Sequence, residues 1–185
     1  FEGTKRLIDA GADMVKSGVG SGSVCATRVK TGCGMGQLST VIDCSEAGPI
    51  IADGGIKEAS HACKALAAGA TVVMIGGMIA GTDKVPGWID PLDSENAEIS
   101  YQGMAGLMAK TKAGLRGINA EGVERKVKCK PAGSTAHIVE DITEGVRSAM
   151  SYTGAFTLEE FTEKAVLRKI SVAGQAEGPP HFKDK

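Results

Sequence analysis

Residues 49–77 read PIIADGGIKEASHACKALAAGATVVMIGG, and this stretch decides the fold. Its first apolar run, residues 49–52, contains no polar residue before Asp53. Such a run is typical of a parallel strand buried on both faces. A helix is predicted over residues 58–68, where helix formers dominate and Gly69 follows. A second buried strand is predicted over residues 71–75. Strand, helix and strand in this order predict a βαβ unit of a parallel α/β fold.

Each predicted strand ends in a glycine pair, Gly54 with Gly55 and Gly76 with Gly77. The carboxyl edge of a parallel sheet is where α/β folds bind ligands, and glycine turns there can offer backbone N–H groups to a phosphate. The alternative is that the glycines only allow short turns. Asp53 is predicted to accept hydrogen bonds from ligand hydroxyls such as a ribose diol, with a helix cap as its alternative.

A second candidate site lies in GSGSVCATRVKTGCGMG, residues 20–36. Cys25 lies among small residues, close in sequence to Thr27, Arg28 and Lys30. A thiolate is the nucleophilic form of cysteine, and basic neighbours that folded over it would lower its pKa. The alternative is a small buried cysteine in a tight loop.

The composition excludes several classes of protein. The chain has 185 residues, 42% of them hydrophobic, which is enough for one core. A net charge of −1 gives no electrostatic case for nucleic acid or an anionic membrane as partner. The 5 cysteines show neither zinc spacing nor a disulfide framework, and no apolar run is long enough to span a membrane. We therefore expect a cytoplasmic protein.

Patterns in the rest of the chain are typical of helices around such a sheet. Thr4 is predicted to cap a first helix, and Ser134 to cap an amphipathic helix over residues 134–151. Thr157, with Glu160 three residues later, predicts another helix start. The remaining predicted segments are a strand over 13–17, helices over 37–47, 105–112 and 157–165, a mobile flap over about 105–127, and a tail over about 173–185.

Several motifs occur in an order and spacing that resemble one family. They are GSGSVCATR at 20–28, PIIADGG at 49–55, VVMIGGM at 72–78, YQGM at 101–104, AEGVE at 120–124 and AEG at 176–178. The chain is identified by them as a member of the IMP dehydrogenase and GMP reductase family. Ser21 and Ala26 stand where the family usually has proline and threonine, and neither replacement removes a catalytic atom.

The resemblance implies a (β/α)8 TIM barrel, of which this chain supplies only the C-terminal part. It implies that Cys25 attacks the purine C2 atom, assisted by Thr27, and that hydride moves between C2 and a nicotinamide cofactor. Glu121, which on its own is better explained as a surface charge, matches a catalytic glutamate of the reductase branch. The implied substrate-binding residues are Ser23, Asp53, Gly54, Gly55, Gly76, Gly77, Tyr101, Gly103 and Met104.

The sequence favours the reductase branch, in which NADPH and GMP give IMP, NADP and ammonia. No Arg-Tyr pair of the dehydrogenase type occurs in the chain, and RVKTGCG after the cysteine is similar to the reductase pattern. The resemblance also implies a homotetramer and a potassium site. Its ligands would come from Gly20, Gly22 and Cys25, completed by Glu177 and Gly178 of a neighbouring subunit. The alternatives are IMP dehydrogenase, a non-catalytic purine-nucleotide-binding relative and a flavin barrel.

Overall fold

Helices and short strands alternate through the first half of the chain. The computed structural model describes residues 1–115 and 120–179. The elements are α1 (Glu2–Asp9), β1 (Val15–Ser17), α2 (Thr27–Thr31), α3 (Gln37–Ser45), β2 (Ile50–Asp53), α4 (Ala59–Ala67), β3 (Val72–Met74), β4 (Glu98–Gln102), α5 (Leu107–Lys112), β5 (Glu124–Lys128), α6 (Ser134–Thr153), α7 (Leu158–Lys164) and α8 (Val172–Ala176).

A parallel sheet in the order β1-β2-β3 forms the centre of the domain. Val15 pairs with Ile50, and Ile51 pairs with Val72, so that neighbouring strands run in the same direction. The predicted βαβ unit is confirmed, with α4 as its crossover helix. Ile50 and Ala52 are fully buried with Val41 of α3, which places the core between the sheet and its helices.

The opposite face of the sheet is open. Alternate residues of a strand point to opposite faces, and on this face Val72 and Met74 of β3 are 43% and 40% exposed. The prediction that β3 is buried is therefore wrong for this chain. Helices therefore pack on one face of this parallel sheet, while the other face stays open.

A second cluster of buried residues joins the outer helices. Phe161 of α7 is 3% exposed and packs with Leu66 and Ala67 of α4. Helix α6 crosses α4 closely, since a Cβ at Gly145 would lie 2.7 Å from the Ala59 Cβ. The predicted amphipathic helix is confirmed, because Val146 and other residues of its apolar face pack against this cluster.

Two of the predicted helix caps are wrong and one is confirmed. Thr4 lies inside α1 and is buried, and α1 begins after Phe1. Ser134 is the first residue of α6 and Gly133 is its N-cap; the Ser134 hydroxyl contacts the Asp83 carboxylate instead. The Thr157 hydroxyl accepts the Glu160 N–H at 3.2 Å, as predicted.

The region predicted as a flap contains regular structure. Strand β5 pairs antiparallel with β4, with Tyr101 opposite Arg125. Residues 116–119 of that region lie outside the described residues, and its mobility stays a prediction. The predicted tail begins within α8, and residues 180–185 also lie outside the described part. None of the helices within the described ranges is long and apolar enough to cross a membrane.

Candidate functional site

A cavity of about 360 Å³ opens at the carboxyl edge of β2 and β3. Its lining brings together most of the predicted substrate-binding residues with several that were not predicted. The lining residues are Ser21, Gly22, Ser23, Asp53, Gly54, Gly55, Ile56, Lys57, Met74, Gly76, Gly77, Met78 and Tyr101.

The glycines of this cavity have roles that other residues could not take. Gly54 and Gly55 have φ values of +92° and +79°, in a region that strongly favours glycine. Gly76 and Gly77 are packed instead, since a Cβ would lie 2.8 Å from the Tyr101 Oη atom and 3.0 Å from the Ser23 Oγ atom, respectively. The backbone is therefore directly accessible at this edge, where side chains would otherwise cover it.

Two hydroxyl groups lie over the second glycine pair. Ser23 Oγ and Tyr101 Oη are 3.3 Å apart, although Tyr101 belongs to β4 and Ser23 to residues 20–36, the segment around Cys25 that we call the cysteine loop. Hydroxyl groups next to uncovered glycine backbone are suited to an anion such as a phosphate. Ser23, Gly76, Gly77 and Tyr101 therefore lie together in the structure, and their contact with a phosphate stays a prediction.

Asp53 is the last residue of β2, as predicted, and has a partner that was not predicted. Lys16 Nζ lies 3.1 Å from its carboxylate. Lys16 pairs with Ile51 in the sheet, so its side chain and that of Asp53 project to the same open face. The Asp53 side chain keeps 34% of its surface exposed, which leaves the carboxylate available to ligand hydroxyls.

Ser21 is a structural residue that sequence reasoning missed. Its hydroxyl lies 2.8 Å from the Gly18 carbonyl oxygen and 2.5 Å from the Asp53 carbonyl oxygen. It therefore ties the cysteine loop to the end of β2. The sequence did contain an indication of this role, since Ser21 stands where the family usually has proline. A serine side chain can form this hydrogen bond and a proline side chain cannot.

Cys25 lies in the same loop, half-buried and beside the cavity. Its thiol donates to Thr27 Oγ1 at 3.2 Å. The Thr27 hydroxyl, which can donate to the thiolate in turn, is the main cause that lowers the pKa of Cys25. Partial burial and the charge of Glu121 oppose that shift. This is the environment of a thiol activated by hydrogen bonding.

The Arg28 side chain is engaged within the loop that carries Cys25. The Arg28 guanidinium donates to the Met35 carbonyl oxygen. The stem of the Arg28 side chain lies against the backbone of Gly20 and Gly34. A Cβ atom built on Gly20 would lie 2.7 Å from the Arg28 Cγ atom, and one built on Gly34 would lie 2.6 Å from it. Arg28 therefore closes the cysteine loop on itself rather than facing the sulfur.

The backbone around Glu121 pairs with the backbone around Cys25. The Ala26 N–H donates to the Glu121 carbonyl oxygen at 2.6 Å, and the Val123 N–H donates to the Val24 carbonyl oxygen at 2.9 Å. Residues 121–123 therefore run beside residues 24–26 as a short antiparallel pair, with Cys25 opposite Gly122. The structure brings Cys25, Thr27 and Glu121 together, although Glu121 is distant in sequence.

Other predicted residues are placed differently. Met104 is 88% exposed and does not line the cavity. Gly103 lies behind the cysteine loop, where a Cβ would be 2.8 Å from the Val24 carbonyl oxygen. Their predicted contact with a ligand stays a prediction, and the structure assigns Gly103 a packing role.

The residues of the predicted cation site belong to two separate segments of this chain. Gly20 and Gly22 lie in the cysteine loop, whereas Glu177 and Gly178 follow α8, where the Gly178 N–H donates to the Gln175 carbonyl oxygen. Within the described ranges, no cluster of three or more His, Cys, Asp or Glu could hold a metal ion. A site made of backbone carbonyls from two subunits stays a prediction.

The geometry defines a class of protein: an α/β domain with a cavity at the carboxyl edge of a parallel sheet, and with a cysteine of lowered pKa in a loop that lines this cavity. The chain belongs to the IMP dehydrogenase / GMP reductase domain family, which it matches over residues 1–181.

Curated relatives carry the names of both activities. The chain is 44% identical to an inosine-5′-monophosphate dehydrogenase of Nitrosopumilus maritimus, over 97% of this chain and 41% of the relative. It is 42% identical to a GMP reductase of Leishmania major, over 97% of this chain and 39% of the relative. The chain thus spans about 40% of the length of these relatives.

A solved structure resembles the whole fold. It is a crystal structure of GMP reductase from Trypanosoma brucei in complex with guanosine 5′-monophosphate, with a TM-score of 0.86 and 38% identity. The match covers 99% of this chain and 39% of that one. The family is therefore shown by sequence and by structure, and both named activities are oxidoreductase reactions.

Proposed function

We propose that the protein is a GMP reductase, which converts GMP to IMP and ammonia with NADPH as reductant. The chain described here supplies the carboxyl-edge site, and the rest of a (β/α)8 barrel closes over the open face of its sheet. The observation that carries the choice of the reductase is the cluster of Cys25, Thr27 and Glu121, held together by the pairing of residues 24–26 with 121–123.

The cavity supports binding of a purine mononucleotide. Ser23, Tyr101 and the backbone N–H groups of Gly76 and Gly77 bind the phosphate in this proposal. Asp53, which ends β2 beside them, accepts hydrogen bonds from the ribose hydroxyls. The similar structure of GMP reductase from Trypanosoma brucei holds guanosine 5′-monophosphate, which supports the same ligand class here.

The chemistry begins at the sulfur. The Cys25 thiolate attacks C2 of the guanine ring, forming a C–S bond, and the 2-amino group leaves as ammonia after it is protonated. Glu121 and Thr27 hold the proton that this leaving group needs. NADPH, when bound, supplies the hydride that reduces C2. The C–S bond then breaks, and IMP and the free thiol are released.

The dehydrogenase is the alternative within the family, and the relatives of both names are similarly distant. In that branch an arginine of an Arg-Tyr pair acts as base toward water, and this chain has no such pair. Glu121, whose backbone pairs beside Cys25 and whose charge acts on the thiol, instead supports the handling of ammonia.

The test compares two substrate pairs at the nicotinamide absorbance band, in the full-length protein. We expect GMP to cause consumption of NADPH, with ammonia released in equal amount. NADH production from IMP and NAD, without the first reaction, would identify a dehydrogenase. Nucleotide binding without either reaction would identify a non-catalytic relative, and a yellow purified protein would indicate a flavin barrel.

We also propose that the protein binds a potassium ion and assembles as a homotetramer. Val166, Ile170 and Val172, between α7 and the start of α8, are 70%, 64% and 85% exposed, which supports a subunit contact near the proposed cation ligands Glu177 and Gly178. Replacement of potassium by tetramethylammonium should lower turnover, and light scattering should give the mass of four subunits. Unchanged turnover would exclude the cation site.

A further inference from the structure

Lys130, two residues after β5, contacts the segment that follows β3 at three points. Its Nζ donates to the Met78 carbonyl oxygen at 2.6 Å, and this contact is partly buried. Its backbone N–H donates to the Gly81 carbonyl oxygen at 2.7 Å. Its own carbonyl oxygen accepts from Trp88 Nε1 at 2.9 Å. One residue therefore fixes three separate positions of residues 78–88.

The contact with Met78 acts on the turn that lines the cavity. Gly76, Gly77 and Met78 all line it, and the N–H groups of Ile79 and Ala80 donate to the Gly76 carbonyl oxygen at 3.1 and 3.0 Å. Residues 76–80 are therefore one hydrogen-bonded turn. Lys130 approaches the turn through the Met78 carbonyl and does not itself line the cavity.

The Met78–Ile79 peptide group is held at both of its ends. Its N–H, which belongs to Ile79, donates to the Gly76 carbonyl oxygen, and its carbonyl oxygen accepts from Lys130 Nζ. A hydrogen bond from an ammonium group belongs to the stronger class. Lys130 therefore fixes the turn whose glycines, Gly76 and Gly77, line the cavity.

We infer that Lys130 is a positioning residue for the phosphate of the bound mononucleotide. This inference rests on the proposed function, because it takes residues 76–78 as the phosphate turn. Lys130 acts through Met78 and contributes no direct contact. Its removal should weaken binding of a phosphorylated ligand and leave the chemistry at Cys25 unchanged.

The test is a set of variants of the full-length protein, with GMP and guanosine as probes in titration calorimetry. Lys130→Met removes the ammonium and keeps the apolar stem. Lys130→Arg keeps the positive charge. Lys126→Met is the matched control, since Lys126 is an exposed lysine of β5. Guanosine lacks only the phosphate, so the ratio of the two Kd values isolates the phosphate contribution.

We expect Lys130→Met to raise the Kd for GMP about tenfold, a change that one charge-assisted hydrogen bond can account for. The Kd for guanosine and the value of kcat should change less than about twofold, and KM should follow the Kd for GMP. Lys130→Arg should recover part of the loss. Lys126→Met should bind both probes as the wild type does.

Each other outcome has a separate meaning. If the wild type binds no GMP, the proposed function fails, and the inference fails with it. If the wild type binds GMP and Lys130→Met binds it equally well, only the inference on Lys130 is overturned. Equal losses for GMP and guanosine, or a Lys130→Met protein that does not fold, would also overturn it, because both indicate a general structural role.

Discussion

Gly122 is the point where three backbone segments meet, and Gly122→Ala should separate them. Its neighbours are the cysteine loop, to which Cys25 belongs, and residues 103–106, whose Gly106 also pairs with it. A Cβ at Gly122 would lie 2.6 Å from the Gly106 nitrogen and 3.1 Å from the Ala105 carbonyl carbon. These neighbours are backbone atoms, which cannot rotate away as a side chain can.

The size of the effect follows from those distances. Carbon contacts are favourable from about 3.5 Å, so the segments must separate by roughly 1 Å. Such overpacking costs about 1–3 kcal/mol of stability. Since this pairing sets the position of the Glu121 backbone relative to Cys25, the same displacement moves Glu121. A misplacement of about 1 Å can cost about 100-fold in rate, so we expect kcat to fall by about 10- to 100-fold.

The measurement is steady-state turnover of GMP and NADPH in the full-length protein, with urea unfolding to determine stability. Gly3→Ala is the matched control, because a Cβ there meets nothing within 4 Å and Gly3 lies within α1. It should be neutral, or more stable by up to about 1 kcal/mol. Wild-type kcat in Gly122→Ala would refute the claim that this pairing positions Glu121.

Two further variants test individual contacts. Thr27→Val removes the hydroxyl that lowers the pKa of Cys25, so the pH profile of alkylation by iodoacetamide should move to higher pH, whereas Thr27→Ser should keep it; an unmoved profile in Thr27→Val would contradict this cause. Asp83→Asn weakens the hydrogen bonds from the Thr135 N–H and hydroxyl, which hold the pKa of Asp83 well below its usual range. A carboxyl group whose pKa is lowered in the folded state stabilises the fold at pH values above its pKa in the unfolded chain. The Tm of the variant should therefore be lower than that of the wild type at pH 7, and this difference in Tm should shrink as the pH falls below about 4. A difference in Tm that does not depend on pH would contradict this.

The sequence patterns predicted the parts of the fold that depend on neighbouring residues. Apolar runs, helix formers and glycine pairs are local signals, so the βαβ unit at residues 49–77 and the end of β2 at Asp53 were predicted correctly. Thr157 was also predicted correctly as a cap, because its partner Glu160 is three residues away.

Contacts between distant segments were not predictable in the same way. Ser134 is a typical cap by its type and position, but Asp83, distant in sequence, contacts its hydroxyl. Lys16, Ser21 and Lys130 act through partners on other elements, and no pattern of spacing indicates those partners. The openness of the Val72 face depends on which strands close over it.

The site residues were assigned to one site on two different grounds. The cavity residues follow from the rule that ligands bind at the carboxyl edge of parallel strands, which brought Asp53 and the glycine pairs together from sequence alone. The place of Glu121 beside Cys25 came from the family resemblance. Its physical basis, the pairing of residues 121–123 with the cysteine loop, is visible only in the structure.

Cys25 is the proposed nucleophile of a GMP reductase, and its removal is the decisive experiment. GMP-dependent loss of NADPH absorbance is measured for the full-length wild type and for Cys25→Ala, with GMP affinity determined for both. We expect turnover in the wild type and none above background in Cys25→Ala, which should still bind GMP through the cavity at the ends of β2 and β3. Turnover by Cys25→Ala at the wild-type rate would show that Cys25 is not the nucleophile.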